Sequence, residues 1–322
     1  MNARLITVFG ASGFLGRHVV RVLARGGYRI RAVTRRPNLA HYLPPMGQVG
    51  QIQLFKGNVT DAARVGEALR GADGAVNLVG VLYSRGEQSF EALHTKAAGT
   101  IAEATAASGA HALVHVSAIG ADARAESEYA RSKAAGEERV RSAFPRAAIL
   151  RPSVVFGPED SFLNRFAEMA RTMPALPLVG GGKTQFQPVF VGDVAQAVLR
   201  ALEDPNAAGM TFQLGGPTVY TFRELMEFIL RETRRKRPLV SIPFPIAALQ
   251  GAFLQFLPKP LITPDQVRLL RTDNVVGAGA PGFAELGIVP TSIEAEAPAW
   301  LWRYRPHGQY DPPVVSEAPG SA

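Results

Sequence analysis

A glycine-spaced turn sits between an apolar run and an amphipathic one at the very start of the chain. Leu5-Ile6-Thr7-Val8-Phe9 reads as a buried strand, Gly10-Ala11-Ser12-Gly13-Phe14-Leu15-Gly16 follows without a linker, and Gly13–Ala24 has helical periodicity. In this setting Gly10 permits a tight turn. Gly13 lets backbone approach a pyrophosphate, and Gly16 allows close packing of helix on strand. The helix start supplies free N–H donors and the positive end of a dipole. The turn therefore predicts a dinucleotide-binding βαβ unit, with Gly10, Ser12, Gly13, Phe14, Leu15 and Gly16 around the phosphates.

The same rhythm continues. Strands are expected at Arg4–Phe9, Arg29–Val33, Gln51–Phe55, Ala75–Leu78, Leu113–Val116 and Ala147–Leu150. Helices fit between them at Ala62–Leu69, Phe90–Ser108 and Ser127–Ser142. Alternation of this kind predicts an α/β fold, a doubly wound parallel sheet of Rossmann type. After Pro152 the pattern becomes proline-rich and less regular, with a strand–helix pair at Gln187–Leu202 and a strand at Met210–Leu214. The expected division is a nucleotide-binding domain from 1–157 plus about 187–214, and a smaller mixed C-terminal lobe from about 158–186 and 215–305. Residues 306–322 read as a disordered tail.

Composition narrows the chemistry. No cysteine is present among the 322 residues, which excludes disulfide scaffolds, thiol catalysis and Cys-based metal centres. The net charge of +8 is unevenly spread: residues 1–60 hold nine Lys/Arg and no Asp or Glu. An anionic ligand at the N-terminal region explains this better than a nucleic-acid surface does. At the end of the second strand, NAD-binding chains carry an acid for the ribose 2′-hydroxyl. Here the sequence is Val33-Thr34-Arg35-Arg36, with no acid before Asp61. Arg35 and Arg36 suit a 2′-phosphate, so NADP(H) is the expected cofactor.

Tyr129 and Lys133 share a face of a predicted helix at i, i+4 spacing, and Ser117 ends the preceding strand. An ammonium beside a phenol favours the phenolate and lets Tyr129 act as general acid/base. Ser117 is suited to hydrogen-bond a substrate oxygen, and Lys133 to hold the nicotinamide ribose. Ser117, Tyr129 and Lys133 are the expected catalytic set. The six histidines are scattered, and no His-Glu-x-x-His, nucleophile elbow or Walker loop occurs, so no metal is expected.

With these motifs the chain resembles the extended or atypical branch of the short-chain dehydrogenase/reductase superfamily. Arg151–Pro158 and Val191-Gly192-Asp193-Val194-Ala195 extend the likeness. The resemblance implies that Asn58 and Val59 lie at the adenine, that Leu78, Val79 and Gly80 run beneath the cofactor, and that Pro152 and Val155 flank it. Lys96 stands where that branch has a helix Asn in its proton relay. Asn77–Leu82, His115–Asp122 and Leu261–Val267 are further similar to the nucleotide-binding accessory-subunit family of respiratory complex I and its bacterial relatives. That likeness implies a tightly held NADPH of structural role, complex I subunits as partners, and association with electron transport to ubiquinone. A working NADP(H)-dependent oxidoreductase or epimerase/dehydratase is the alternative, and a regulator sensing the NADP(H) ratio is a third.

Between Pro238 and Pro258 no charge occurs, but Pro243 and Pro245 leave only about 12 helical residues, against roughly 20 for a membrane span. Arg234-Arg235-Lys236-Arg237 immediately precedes it. Two readings stay open: a charged helix end followed by an ordinary buried helix, or a basic and apolar surface for an anionic membrane or a partner. With the first strand beginning at about Arg4, no room is left for a signal or transit peptide. The expected location is cytoplasmic, peripheral on the inner membrane if complex-bound.

Overall fold

The computed structural model describes residues 4–257, 260 and 262–310. Seven strands form one parallel sheet. They include β1 (Leu5–Phe9), β2 (Arg29–Thr34), β3 (Ile52–Lys56), β4 (Gly74–Asn77), β5 (Ala112–Val116) and β6 (Ala148–Pro152), with Thr211–Leu214 on the outer edge. The spatial order runs from that edge strand through β6, β5, β4, β1 and β2 to β3. β1 pairs with both β2 and β4, so the direction of winding reverses there. Such a reversal opens a crevice beyond the carboxyl ends of the strands. The ends of β1, β4, β5 and β6 carry the glycine turn, Leu78–Gly80, Ser117 and Pro152, which brings four separate sequence motifs to one side of the sheet.

Apolar strands such as Ile6, Val8 and Phe9 are buried on both faces because helices cover both. Helices α1 (Phe14–Arg25) and α6 (Val191–Glu203) pack together over one face. On the other lie α2 (Ala62–Leu69), α3 (Ala97–Ala107) and α4 (Glu128–Ala143). The expected helix at Phe90–Ser108 is present but opens with a π-helical stretch, Glu91–Lys96. Ala97, Ala98, Ile101 and Ala102 are buried on α3, and its Gly99 lies against the Arg139 side chain of α4.

A separate apolar cluster joins α5 (Leu163–Thr172) and α7 (Phe222–Glu232) to Phe156, Phe186 and Trp300. The proline-rich, less regular region after Pro152 also contains strands. Leu176–Val179 and Leu239–Ile242 form a parallel pair, with Pro177 opposite Val240. A two-stranded ribbon leaves outer edges where the missing proline N–H costs no ladder bond. The remaining helices used below are α8 (Phe244–Leu254) and α9 (Pro264–Leu269). Of the expected tail, Gly308–Tyr310 make one 3-10 turn, while 311–322 lie outside the described residues, as does Leu261 of the Leu261–Val267 motif. Among the described residues no helix is long and apolar enough to cross a membrane.

Candidate nucleotide and acid/base site

Gly10 adopts φ +81°, and a Cβ there would crowd the Leu78 backbone 3.1 Å away. A Cβ on Gly16 would overlap the carbonyl oxygens of Gly10 and Ala11. Both positions therefore require glycine. Gly13 precedes α1, and no side chain caps that helix start. Its orphan N–H groups are left for an anion. Ser12 is held by the Tyr42 hydroxyl, which donates to its carbonyl at 2.8 Å, and its Oγ shares a 3.0 Å hydrogen bond with Thr34 Oγ1. Phe14 and Leu15 are the first two residues of α1.

Beyond β2 both arginines are exposed, and among the described residues neither guanidinium has a hydrogen bond or ion pair. Arg36 is fixed through its backbone, whose N–H donates to Thr34 Oγ1 at 3.3 Å. Asn58 is exposed, its Oδ1 accepting from Thr60 N, and Val59 beside it is buried. Leu78 and Val79 are half-buried and Gly80 is exposed beyond β4.

Ser117, Tyr129 and Lys133 come together at the ends of β5 and α4. Ser117 is 4% exposed and its Oγ has no hydrogen-bond partner. An orphaned buried hydroxyl is costly, and a ligand oxygen would satisfy it. Lys133 Nζ donates to the Val116 carbonyl at 3.5 Å and lies 5.9 Å from the Tyr129 ring centre. Burial pulls Lys133 down to about 8, opposed by Glu137. It pushes Tyr129 up to about 12. Burial of the phenol thus outweighs the neighbouring ammonium, which by spacing alone is expected to favour the phenolate.

Three neighbours escaped sequence reading. His94 leaves the π-helical stretch and stacks on Phe90, with Tyr129 edge-on at 5.3 Å. Its Nε2 accepts from Val81 N at 3.0 Å, so the proton is on Nδ1, which donates to Ser132 Oγ at 2.9 Å. The Ser132 hydroxyl passes the chain on to the Tyr129 carbonyl. Burial, then the Lys133 charge, lowers His94 to about 2. Lys96, expected in the relay position, is instead exposed. The wider turn rotates it outward and puts His94 against the site. A Cβ on Gly80 would meet both Lys133 Nζ and His94 Nε2, at 3.3 and 3.6 Å.

His115 is the second. Its Nδ1 accepts from Asn77 Nδ2 at 3.1 Å, leaving Nε2 with the proton, buried and unpartnered. Burial and Lys133 lower it to about 3. The third is Glu137, 1% exposed, one turn beyond Lys133, and held by Arg151 through bonds of 2.8 and 2.7 Å. A glycine-lined cradle, two free guanidinium groups and an orphaned serine fit a dinucleotide. No cluster of potential metal ligands occurs among the described residues.

Fold and site together define a dinucleotide-binding protein of the short-chain dehydrogenase type. The chain belongs to the NAD dependent epimerase/dehydratase family, whose sequence profile matches residues 6–215. Over 97% of its length it is 37% identical to the mitochondrial NADH dehydrogenase [ubiquinone] 1 alpha subcomplex subunit 9 of Arabidopsis thaliana, covering 80% of that protein. The NADH-ubiquinone oxidoreductase 40 kDa subunit of Neurospora crassa is 34% identical over 98% of the chain and 84% of its own length. A ceramide reductase of Caulobacter vibrioides is more distant, 28% identical over 78% of this chain and 77% of its own. Among solved structures, the dTDP-glucose 4,6-dehydratase DesIV of Streptomyces venezuelae, with NAD bound, superposes with a TM-score of 0.69. It is 20% identical, and the match covers 94% of this chain and 96% of that one. At that identity the likeness concerns the fold.

Proposed function

We propose that the chain is an NADP(H)-holding accessory subunit of respiratory complex I. It would sit peripherally on the cytoplasmic face of the inner membrane. The observation that carries this reading is the 37% identity to an alpha subcomplex subunit over almost the whole chain, small lobe included. Retention of the cradle supports a bound dinucleotide, and unpaired Arg35 and Arg36 support the 2′-phosphorylated form over NAD. On this reading the chain divides into a nucleotide domain and a lobe of about 158–186 and 215–305, and the lobe would take the docking role.

When bound, the cofactor supplies a nicotinamide able to exchange hydride. Residues 10–16 would hold its pyrophosphate, Arg35 and Arg36 its 2′-phosphate, Asn58 and Val59 its adenine. Leu78, Val79, Gly80, Pro152 and Val155 would line its course, and Lys133 would hold the nicotinamide ribose. Tyr129 keeps its proton at neutral pH and Lys133 stays largely charged, an arrangement suited to holding the group rather than to abstracting a proton.

The membrane would be met by α8 and the basic segment before it. Leu249, Phe253 and Phe256 are 62%, 71% and 83% exposed. The helix buries only Ala247 and Gly251, so its apolar outer face is uncovered. Lys236 is exposed nearby, whereas Arg235 and Arg237 are partly consumed by the carbonyls of Tyr304 and Ala170.

The complete Ser117, Tyr129 and Lys133 set favours a second reading, a working NADP(H)-dependent oxidoreductase or epimerase. Purification of the tagged native protein from gently solubilised membranes separates the two. Stoichiometric recovery of complex I subunits is expected. Elution of the protein alone from the soluble fraction would overturn the subunit reading and move the weight to a free enzyme.

A further inference from the structure

The helix that carries Tyr129 and Lys133 begins on a carboxylate borrowed from the other lobe. Asp265 Oδ1 accepts from Glu128 N at 2.7 Å. Its Oδ2 accepts from Tyr129 N at 3.0 Å and from Ser127 Oγ at 2.8 Å. These amides belong to the first two residues of α4, where a helix has no internal acceptors and favours negative charge. Ser127 also caps the helix, accepting from Ala130 N. A carboxylate 136 positions away thus completes the helix start on which the Tyr129 ring depends.

Asp265 is not an isolated side chain on a loop. It lies in the first turn of α9, which is fixed by its own capping box from Thr263 and Gln266. Helix α9 packs on α8 where Gly251 meets the backbone of Thr263 and Pro264; a Cβ there would approach both to 3.0 Å. Val267 shares a small apolar cluster with Ala247 and Val179. A continuous packed path therefore runs from the uncovered face of α8 through α9 and Asp265 to Tyr129.

Resting on the nucleotide-holding reading above, we infer that Asp265 is a positioning residue that couples dinucleotide binding to the α8–α9 pair. Nucleotide contact with Tyr129 and Lys133 holds α4 in place, which holds Asp265 and stiffens α8 and α9. The coupling is reciprocal: whatever docks on α8 alters nucleotide affinity by the factor by which nucleotide alters docking.

The test uses the full chain, NADPH as the probe, and two readouts: the NADPH dissociation constant, and backbone hydrogen exchange with and without NADPH. Wild type is expected to show NADPH-dependent protection at 244–254 and 264–269 as well as around residues 10–16. In Asp265→Asn, which keeps the shape but turns an acceptor into a donor, the dissociation constant is expected to rise about tenfold, within the range of ordinary couplings. Protection is expected to vanish from the two distant helices and persist at residues 10–16. Arg171→Gln removes an exposed 2.7 Å ion pair to Glu168 within α5 and should leave both readouts as in wild type. Unchanged affinity and unchanged distant protection in Asp265→Asn overturn the latch. A wild type that binds neither NADPH nor NADH overturns the nucleotide reading itself, and the latch with it.

Discussion

His94 is held neutral in the folded chain, lowered from 6.5 to about 2, and His115 is lowered to about 3. Unfolding frees both to take a proton once the pH drops below about 6.5. The unfolded chain then binds more protons, so stability falls as the pH goes down through that value and is fully present above it. His94→Gln can still accept from Val81 N and donate to Ser132 Oγ, but it does not titrate. Thermal midpoints at pH 7.5 and 5.5 should therefore differ less in His94→Gln than in wild type. Equal decrements would show that His94 is not buried neutral. The Ser117, Tyr129 and Lys133 set was legible in the sequence because strand and helix periods fix where side chains point. His94 was not, since its direction depends on an extra backbone residue in a π-helical turn. Nor was Asp265, whose partners lie 136 to 138 positions away and meet it only through packing.

At the level of elements, the nucleotide half was read almost to the residue, because apolar strands and amphipathic helices alternate there under one rule. α2 falls at Ala62–Leu69 as its sequence predicts. The small lobe was not legible in the same way. Its strands are two to four residues long, too short for a period to declare itself, and they pair with partners far along the chain. Helix α8 shows the limit most clearly. Apolar on all sides, it has no sequence signal for which face is buried, and the structure decides through Ala247 and Gly251, the small residues that admit α9. The outer face then makes a direct prediction. Burying a phenylalanine is worth about 1.5–3 kcal/mol, so Phe253→Glu with Phe256→Glu should weaken binding to anionic phospholipid vesicles at least tenfold. Both side chains are exposed, so the thermal midpoint should stay within the effect of about 0.5 kcal/mol typical of surface changes. Cosedimentation with vesicles measures the first and calorimetry the second. Undiminished cosedimentation of the double variant would remove α8 from the membrane.

For the whole molecule, the nucleotide is, on the proposed reading, a folding ligand. The glycine turn, Arg35 and Arg36, and the α4 set lie at or beyond the ends of separate strands of the sheet, so the unfolded chain cannot assemble them. A ligand bound only by the native state at 100 times its dissociation constant adds about 2.7 kcal/mol. At about 2 °C per kcal/mol for a large domain, NADPH should raise the thermal midpoint by about 5 °C. NADH offers Arg35 and Arg36 no phosphate. One lost charge-assisted hydrogen bond is worth about 1.5–3 kcal/mol, discounted here to about 1.4 because both arginines are exposed, which is still tenfold in affinity. NADH at the same concentration should therefore shift the midpoint distinctly less. In the double variant Arg35→Ala with Arg36→Ala, the two nucleotides should become nearly equal, with the NADPH shift falling to the NADH level rather than the reverse. Salt sharpens the comparison, because screening of the exposed arginine–phosphate contacts adds to whatever the two nucleotides share: raising ionic strength should narrow the gap between them in wild type, while the double variant has no gap to narrow. Equal shifts by NADPH and NADH in wild type at low salt would strip the arginine pair of its proposed role and leave the chain with no preference for the 2′-phosphorylated form.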